Sequence, residues 1–548
     1  MRAEQLLQHF ERISEAPDAI KRLRRFILDL AVRGKLVEQD PSEEPASELV
    51  KRITAEKARL VKAGKARKLE VDPVTNEEIS FPVPSNWVWT RLGSIGDWGS
   101  GSTPTRGNSD LYGGGITWLK SGELNDNRAL EGSEETVSKL AVEKGSFRIN
   151  KTGDVLIAMY GATIGKVAIL AESAVTNQAI CGCTPFPGVF NQYLFFYLLS
   201  QRAQFHSASE GGAQPNISKV KIVWTTFPLP PLAEQHRIVA KVDELMALCD
   251  QLEVAKVERE QCRDSLVAAS LQGLNQPTEE EETFREHARF TFNNLPRITT
   301  RAAHIKQLRQ AILNLAVRGR LVPQVPGDEL EPANTASKIN INLPLGWQSR
   351  TVFDLAALKS GSSFPSEKEL SHGEYIYVKV SDMNLPGNQY EITTSTRFIS
   401  PNKQDLKSLI PANSIIFPKR GGAIATNKKR LVKTPIFVDS NIMAIVCPPI
   451  IQLSYLYIWF LRIDLWALNS GTSVPQINNK DIGPLVVSLP PLAEQQRIVA
   501  KVDELMAICD QLEAQITATE QDSRRFLESV LADALAPGID LREVAEVA

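Results

Sequence analysis

The sequence predicts an α/β (α+β) protein built as a tandem duplication with a pseudo-twofold, two compact mixed domains being separated by long helices. Three observations carry this. Residues 229–253 (LPPLAEQHRIVAKVDELMALCDQLE) recur as residues 489–513 with only His236/Gln496 and Leu248/Ile508 exchanged. Residues 20–37 (IKRLRRFILDLAVRGKLV) recur as residues 305–322 (IKQLRQAILNLAVRGRLV). Between the matched helices, short apolar runs broken by glycine read as strands. Two similar units in one chain suggest a device that addresses two related targets or partners.

At 548 residues the chain exceeds what one core organises, so several domains are expected. Its boundaries are read as a helical region 1–81, a first domain 82–231, a helical spacer and linker 232–340, a second domain 341–491 and a helical spacer 492–548. Lys plus Arg 62 against Asp plus Glu 64 gives a net charge of −2, so any nucleic-acid site must be local. No apolar stretch approaches the roughly 20 residues that span a bilayer. The polar start MRAEQLLQHFERISE is not a secretory signal, which makes a cytoplasmic location the expectation.

The first helix places Ile20, Leu23, Ile27 and Leu30 on one face and ends at Gly34, a left-handed cap, with Gly319 ending its counterpart. Matching this segment needs an offset of 285 rather than 260, so the first unit carries 25 extra residues within 38–82. They read as a basic helix. Its Lys57, Arg59, Lys62, Lys65, Arg67 and Lys68 form either a phosphate contact or a solvated face.

Inside the first domain, residues 115–119 and 154–170 are β-rich; in the second, residues 375–380 and 413–432. Each domain also holds an aromatic-rich helix, 192–207 and 453–468, whose rings belong to the core. Residues 84–87 (PSNW) fall on 344–347 (PLGW), Gly101-Ser102 on Gly361-Ser362, and 211–217 (GGAQPNI) on 471–477 (GTSVPQI), while the sequence between diverges. A shared frame thus surrounds private interiors, and residues 84–228 and 344–488 are expected to be exchangeable.

After Pro231 and Pro491, residues that start but do not continue helices, Glu234 and Glu494 place negative charge in the first turn. Ile238, Val242, Leu245, Cys249 and Leu252 then step by 4 and 3, as do Ile498, Val502, Leu505, Cys509 and Leu512, with Ile516 extending the second stripe. That is a coiled-coil seam, and the two long helices are expected to pack on each other as a spacer. Residues 276–286 read as an exposed acidic linker.

Catalytic motifs are missing. Gly161-Ala-Thr-Ile-Gly165-Lys166 has too few residues between its glycines for a phosphate loop, and Val167 stands where a hydroxyl should hold magnesium. Cys181-Gly-Cys183 has no second Cys/His pair nearby and reads as small buried residues; no metal site is expected. His236 is Gln496 in the other copy, so a shared mechanism does not need its imidazole.

With AVRGKLV and AVRGRLV after an amphipathic helix, Gly-x-x-x-Pro-x-Ile at Gly211 and Gly471, and LPPLAEQ-x-RIVAKVDEL at both domain exits, the chain resembles the DNA-specificity (S) subunit of type I restriction-modification systems along nearly its whole length. The resemblance implies two target-recognition domains, each reading half of a bipartite double-stranded DNA sequence, held apart by helices that form an antiparallel coiled coil. It also implies docking of two modification subunits that methylate adenine. S-adenosylmethionine, ATP and magnesium would then sit on modification and ATP-driven restriction subunits, and this chain would carry no cofactor and no active site. The extension at 38–81 departs from the simplest layout of that family. A protein-joining scaffold that never reads DNA is the alternative.

Base reading needs Asn, Gln, Ser, Arg or Lys on exposed loops. In the first domain the candidates are Ser102, Thr103, Arg106, Lys120, Ser121, Tyr160, Lys166, Asn177, Gln178, Gln214 and Asn216. In the second they are Ser362, Ser363, Lys379, Ser381, Lys419, Arg420, Asn427, Lys428, Asn441 and Gln476. Each competes with a plain turn or cap role. Partner docking or spacing falls to Ile238, Val242, Leu245, Leu252, Ile498, Val502, Leu505 and Leu512.

Overall fold

The computed structural model describes residues 16, 18–145, 147–209, 215–275, 281–328, 343–471 and 474–535. Two compact units divide the chain: residues 1–258 with 520–548, and residues 259–519. Among the described residues no helix is long and apolar enough to cross a membrane.

In the first unit the domain is closed at its base by an antiparallel strand pair, Val88–Arg91 with Thr226–Leu229, so entry and exit lie side by side. Above it a five-stranded sheet runs in the order 96–100, 180–185, 155–158, 167–170, 127–130, and a three-stranded one in the order 136–137, 112–119, 175–176. The aromatic stretch forms two helices, Asn191–Ser200 and Arg202–Ser207. Tyr193 to Leu198 are all buried, so this helix shows no polar face and serves as core. Cys181 and Cys183 lie fully buried on the neighbouring strand, and burial pushes the Cys181 thiol up to about 12.

The second unit repeats the plan. Gln348–Thr351 pairs with Val486–Leu489, beneath a four-stranded sheet (357–360, 442–446, 414–418, 430–432) and a three-stranded one (398–399, 375–378, 437–438). Its aromatic helix is shorter, Leu453–Leu461, followed by a single turn at Trp466–Leu468.

Why the repeated residues repeat is visible in their contacts. The helices Ala19–Val32 and Ala302–Val317 end at Gly34 and Gly319, both at φ +67. There the amides of Lys35 and Arg320 return to the carbonyls of Leu30 and Leu315, 3.0 and 3.1 Å away. A Cβ on either glycine would lie 2.5 Å from Pro84 or Pro344, so the glycine also admits the Pro-x-x-Trp corner. The Trp87 and Trp347 indoles donate to the buried carboxylates of Glu234 and Glu494, 2.9 Å in both copies. Gln39 and Gln324 donate to the same carboxylates at 2.5 and 2.7 Å. Burial raises both glutamate pKa values, and these donors oppose it. Gln235 and Gln495 accept from the amides of Phe190 and Gln452 at 2.7 and 2.6 Å. Arg237 pairs with Glu43, and Arg497 with Asp328. The Glu-Gln-x-Arg run therefore bolts each long helix to its own domain.

The long helices span Leu232–Asn275 and Leu492–Leu535, about 66 Å each at 1.5 Å per residue. Their apolar stripe is buried in the core of its own unit beside the short helix, and in the second unit both long helices contribute to that one core. Ile238, Val242, Leu245 and Cys249 pack into the first unit's own core with Ile27, Leu28 and Ala31 of the short helix. Ile498, Val502, Leu505, Cys509 and Leu512 pack likewise with Ile305, Leu308 and Ile312. Arg24 holds Asp250 and Glu253, and Arg309 holds Asp510 and Glu513. Heptad spacing says that a stripe is buried; it does not name the helix that buries it.

A third helical stretch completes each bundle. In the first unit Leu527 and Val530 cover Ala16 and Ala19, with Arg22 bonded to Glu528 at 2.7 Å. In the second, Val267, Leu271 and Leu274 join the core of Ile305 and Leu308.

Two sequence readings are corrected. The acidic stretch beginning at 276 is not a linker throughout: residues 281–286 start a helix, Glu281–Ile298, because carboxylates suit a helix N-terminus, while residues 276–280 lie outside the described residues. The basic helix of the extension, Ala46–Lys62, is a buttress. Leu49 and Ile53 are buried in the core. Lys57 donates to the carbonyls of Leu69 and Gly93 at 2.8 and 3.1 Å, burial lowers its pKa, and Arg59 and Lys68 are paired with Glu56 and Glu70.

Candidate nucleic-acid interface

Five loops in each domain carry the polar candidates, and backbone bonds sew most of them into one edge. In the first domain the amide of Ser102 donates to Thr176 O (2.8 Å), that of Asn177 to Leu119 O (2.9 Å), and that of Met159 to Ala179 O (2.8 Å). Gly161 N reaches Pro215 O (2.8 Å) and Ile217 N reaches Met159 O (2.9 Å), so Tyr160 faces Asn216 across a β-bridge. The second domain repeats the stitching: Ser362 N to Val438 O (3.0 Å), Lys419 N to Asn441 O (2.8 Å), Gly421 N to Pro475 O (2.8 Å), Ile477 N to Lys419 O (2.9 Å) and Asp439 N to Val378 O (2.9 Å). The repeated glycine at the first of these loops has a steric cause. A Cβ on Gly101 would lie 2.0 Å from Thr176 O, and one on Gly361 2.2 Å from Asp439 O.

On this edge Thr103 donates to exposed Gln178, and the corresponding hydroxyls of Ser363 and Ser440 lie 2.7 Å apart. Thr103, Arg106, Tyr160, Gln178 and Asn216 are exposed in the first domain, as are Ser363, Ser381 and Arg420 in the second; Ser102, Ser121 and Ser362 are half-buried. Asn177 accepts from the Ala179 amide at 3.2 Å. Gln214 lies outside the described residues.

Three of the cations, Lys120, Arg106 and Lys379, are held by carboxylates. Lys120 bonds Glu135 at 2.9 Å, and that carboxylate holds its ammonium above the ordinary value. Arg106 bonds Glu135 at 3.0 Å above the rings of Tyr112 and Trp118. Lys379 bonds Glu369 at 2.6 Å. Such partly exposed pairs contribute only about 0–1 kcal/mol, so a cation can exchange its carboxylate for a phosphate at little cost. Lys166 donates to Asn125 at 2.8 Å, and Lys428 to Asn384. Lys419 donates to Ser360 at 2.8 Å; burial, then Arg420, lower its pKa.

Sequence reasoning missed that Lys120 and Lys379 are counterparts. Each opens a one-turn helix in which the acid three residues on, Glu123 or Asp382, accepts from the lysine amide at 2.6 or 2.8 Å. The signal was Lys-x-x-Glu against Lys-x-x-Asp at closely matching positions.

Other side chains serve the fold. Asn427 sits at φ +52, and its side chain accepts from Lys429 Nζ (2.9 Å) and the Leu465 amide (3.0 Å), which makes it a turn residue. Asn441 is tied to Asp439 at 3.1 Å and Gln476 to Asn478 at 2.7 Å. Beside Lys428, the next two cations, Lys429 and Arg430, turn inward. Arg430 donates to the carbonyls of Asn388 and Met383. Lys429 is buried, bonded to Ile463 O at 2.7 Å and set over the Phe460 ring, and burial pushes its pKa down to about 7.

A pH dependence follows. Between that value and the ordinary 10.5 the unfolded chain binds more protons than the folded one. The second unit's unfolding free energy therefore rises with pH above about 7, by at most about 1.4 kcal/mol per pH unit. Denaturant titrations at pH 7 and 9 should show this gain in the wild type and lose it in Lys429→Met; equal slopes would refute it.

A family model described as the type I restriction modification DNA specificity domain matches residues 84–259 and 344–519. The chain is similar to the type I restriction enzyme EcoAI specificity subunit of Escherichia coli, 28% identical over 569 residues covering 94% of this chain and 93% of the relative. To the EcoEI specificity subunit of Escherichia coli it is 26% identical, again over 94% of this chain and 93% of that one. A solved chain from work on complex assembly and conformational transition of the type I R-M system shares the fold, with a TM-score of 0.50, 18% identity and coverage of 84% of this chain and 100% of that chain. The family match takes in both domains and well over half of the residues: the chain belongs to the type I restriction-modification DNA-specificity family.

Proposed function

We propose that each domain reads one half of a bipartite duplex DNA target through its sewn loop edge, and that the long helices set the gap between the halves. The frame, repeated in both units, docks two modification subunits that methylate adenine. S-adenosylmethionine sits on those subunits, ATP and magnesium on restriction subunits, and this chain supplies no catalytic group; the assembly works in the cytoplasm. One observation carries the reading: the same loops are stitched by equivalent backbone bonds in both domains, yet present different side chains, Thr103 and Gln178 in one, Ser363 and Ser440 in the other. A scaffold that never reads DNA would have no use for two unlike polar edges on one frame.

The test is methylation mapping. The purified chain alone should transfer no methyl group. With its modification partner it should yield methyladenine at a single bipartite sequence. Methyl transfer by the chain alone, or partner-dependent methylation without sequence preference, would refute the reading.

A further inference from the structure

The two units differ along the outer flank of the base strand pair. In the first unit the helix Ala46–Lys62 lies there, from the Asn86 carbonyl, which accepts from the Ala46 amide (2.9 Å), to the Gly93 carbonyl, which accepts from Lys57 (3.1 Å). The surface beneath it is small. A Cβ on Gly188 would lie 2.5 Å from Leu49, and one on Gly93 would lie 3.0 Å from Val71 and 3.1 Å from Leu69.

At the corresponding places the second unit carries large apolar side chains in the open. Ser85, Gly93 and Gly188 become Leu345, Phe353 and Ile450, which are 95%, 57% and 40% exposed. The carbonyls of Gly188 and Ile450 accept from the equivalent Gln235 and Gln495, which fixes that match. The strip adjoins the bolted start of the second long helix: a Cβ on Gly346 would lie 3.7 Å from Pro491.

We infer that this strip is a docking surface for a modification subunit, so that the two modification subunits are held unequally. The inference rests on the docking proposed above and adds where the symmetry breaks. A partner that grips the repeated frame meets equivalent contacts at both long-helix starts. Beside the second start it meets Leu345 and Ile450, with Phe353 at the far end of the strand pair against Gly483. Beside the first it meets the charged outer face of a helix, with exposed Lys51, Arg52 and Arg59. Exposed apolar side chains of this size, set along one flank beside the repeated frame, suit a protein partner and offer nothing to phosphates.

The experiment uses the full chain as Leu345→Glu/Phe353→Glu, with Ser85→Glu as the first-unit control, titrated with modification subunit and read by native mass spectrometry. Two subunits should bind the wild type and the control. The double variant should keep one and bind the other at least tenfold more weakly. Undiminished binding of both, or equal weakening of both, would overturn the inference alone. Failure of the wild type to bind any modification subunit would overturn the docking reading and this inference with it. The isolated double variant should sediment and melt as the wild type does. Loss of a wild-type dimer would assign the strip to a second copy, a clearly lower melting temperature would assign it to the chain's own residues, and either result overturns the inference.

Discussion

Replacing residues 84–228 by residues 344–488 should give an unstable first unit, whereas exchanging the longer block, 44–228 for 329–488, should give a folded protein that methylates two inverted copies of the second half-site. The short exchange, which the matched domain ends suggested, puts Phe353 where Gly93 faces Leu69 and Val71, and Ile450 where Gly188 faces Leu49. It also removes Arg91, whose guanidinium donates to Asp72 O at 2.6 Å and to Glu78 at 2.7 Å. Overpacking costs about 1–3 kcal/mol at each site, and an orphaned partner adds to that. The longer exchange takes the buttress out with the surface it covers. It joins the chain after Glu43, whose partner Arg237 matches the Asp328–Arg497 pair. Melting curves and methylation maps decide the matter. Equal stability of both hybrids would remove the buttress from the argument, and retention of the first half-site in the long hybrid would remove base reading from the domains.

The second large effect is expected at Trp87. Its ring seals the Gly34 corner, meets Tyr193 edge-on at 6.4 Å and donates to Glu234 at 2.9 Å. Trp87→Ala should cost the first unit about 3–5 kcal/mol through lost burial. It also takes one of two donors from a buried carboxylate. Glu234 already has its pKa raised by burial, so the folded state binds the extra proton and stability falls as pH rises through that shifted value; the variant should show this fall more strongly. Trp347→Ala should do the same to the second unit alone. Calorimetry that resolves two transitions checks this: each variant should lower one and spare the other. A loss below about 1 kcal/mol, or equal loss in both, would refute the bolt.

What the sequence disclosed depended on where each cause lies. Gly34, Pro84, Trp87 and Glu234 repeat as Gly319, Pro344, Trp347 and Glu494 because they touch one another, so duplication alone located the frame. The loops carrying Gly101-Ser102 and Tyr160-Gly161 were legible because polar residues beside glycine lie outside strands. Partner choice was not legible. Spacing could not tell that Ile238 and Val242 enter the first unit's own core with Ile27 and Leu28, and composition could not tell buried Lys429 from exposed Arg420, because desolvation is decided by residues such as Phe460 and Ile463, distant in sequence. The buttress role of the extension was hidden for the same reason: the groups that engage Lys57, Leu69 O and Gly93 O, are peptide carbonyls, which any sequence supplies.

The covering of Ala16 and Ala19 by Leu527 and Val530 has a consequence for synthesis. The ribosome adds about 5–20 residues per second, so Leu527 is made roughly 13–54 s after Glu258. Through that interval the first domain has its sheets and its bolted long helix, while one face of its opening helix waits for the last helix to be translated. The first part of the chain to be made is thus among the last to be finished, and a nascent chain stalled anywhere in the second domain carries that open face.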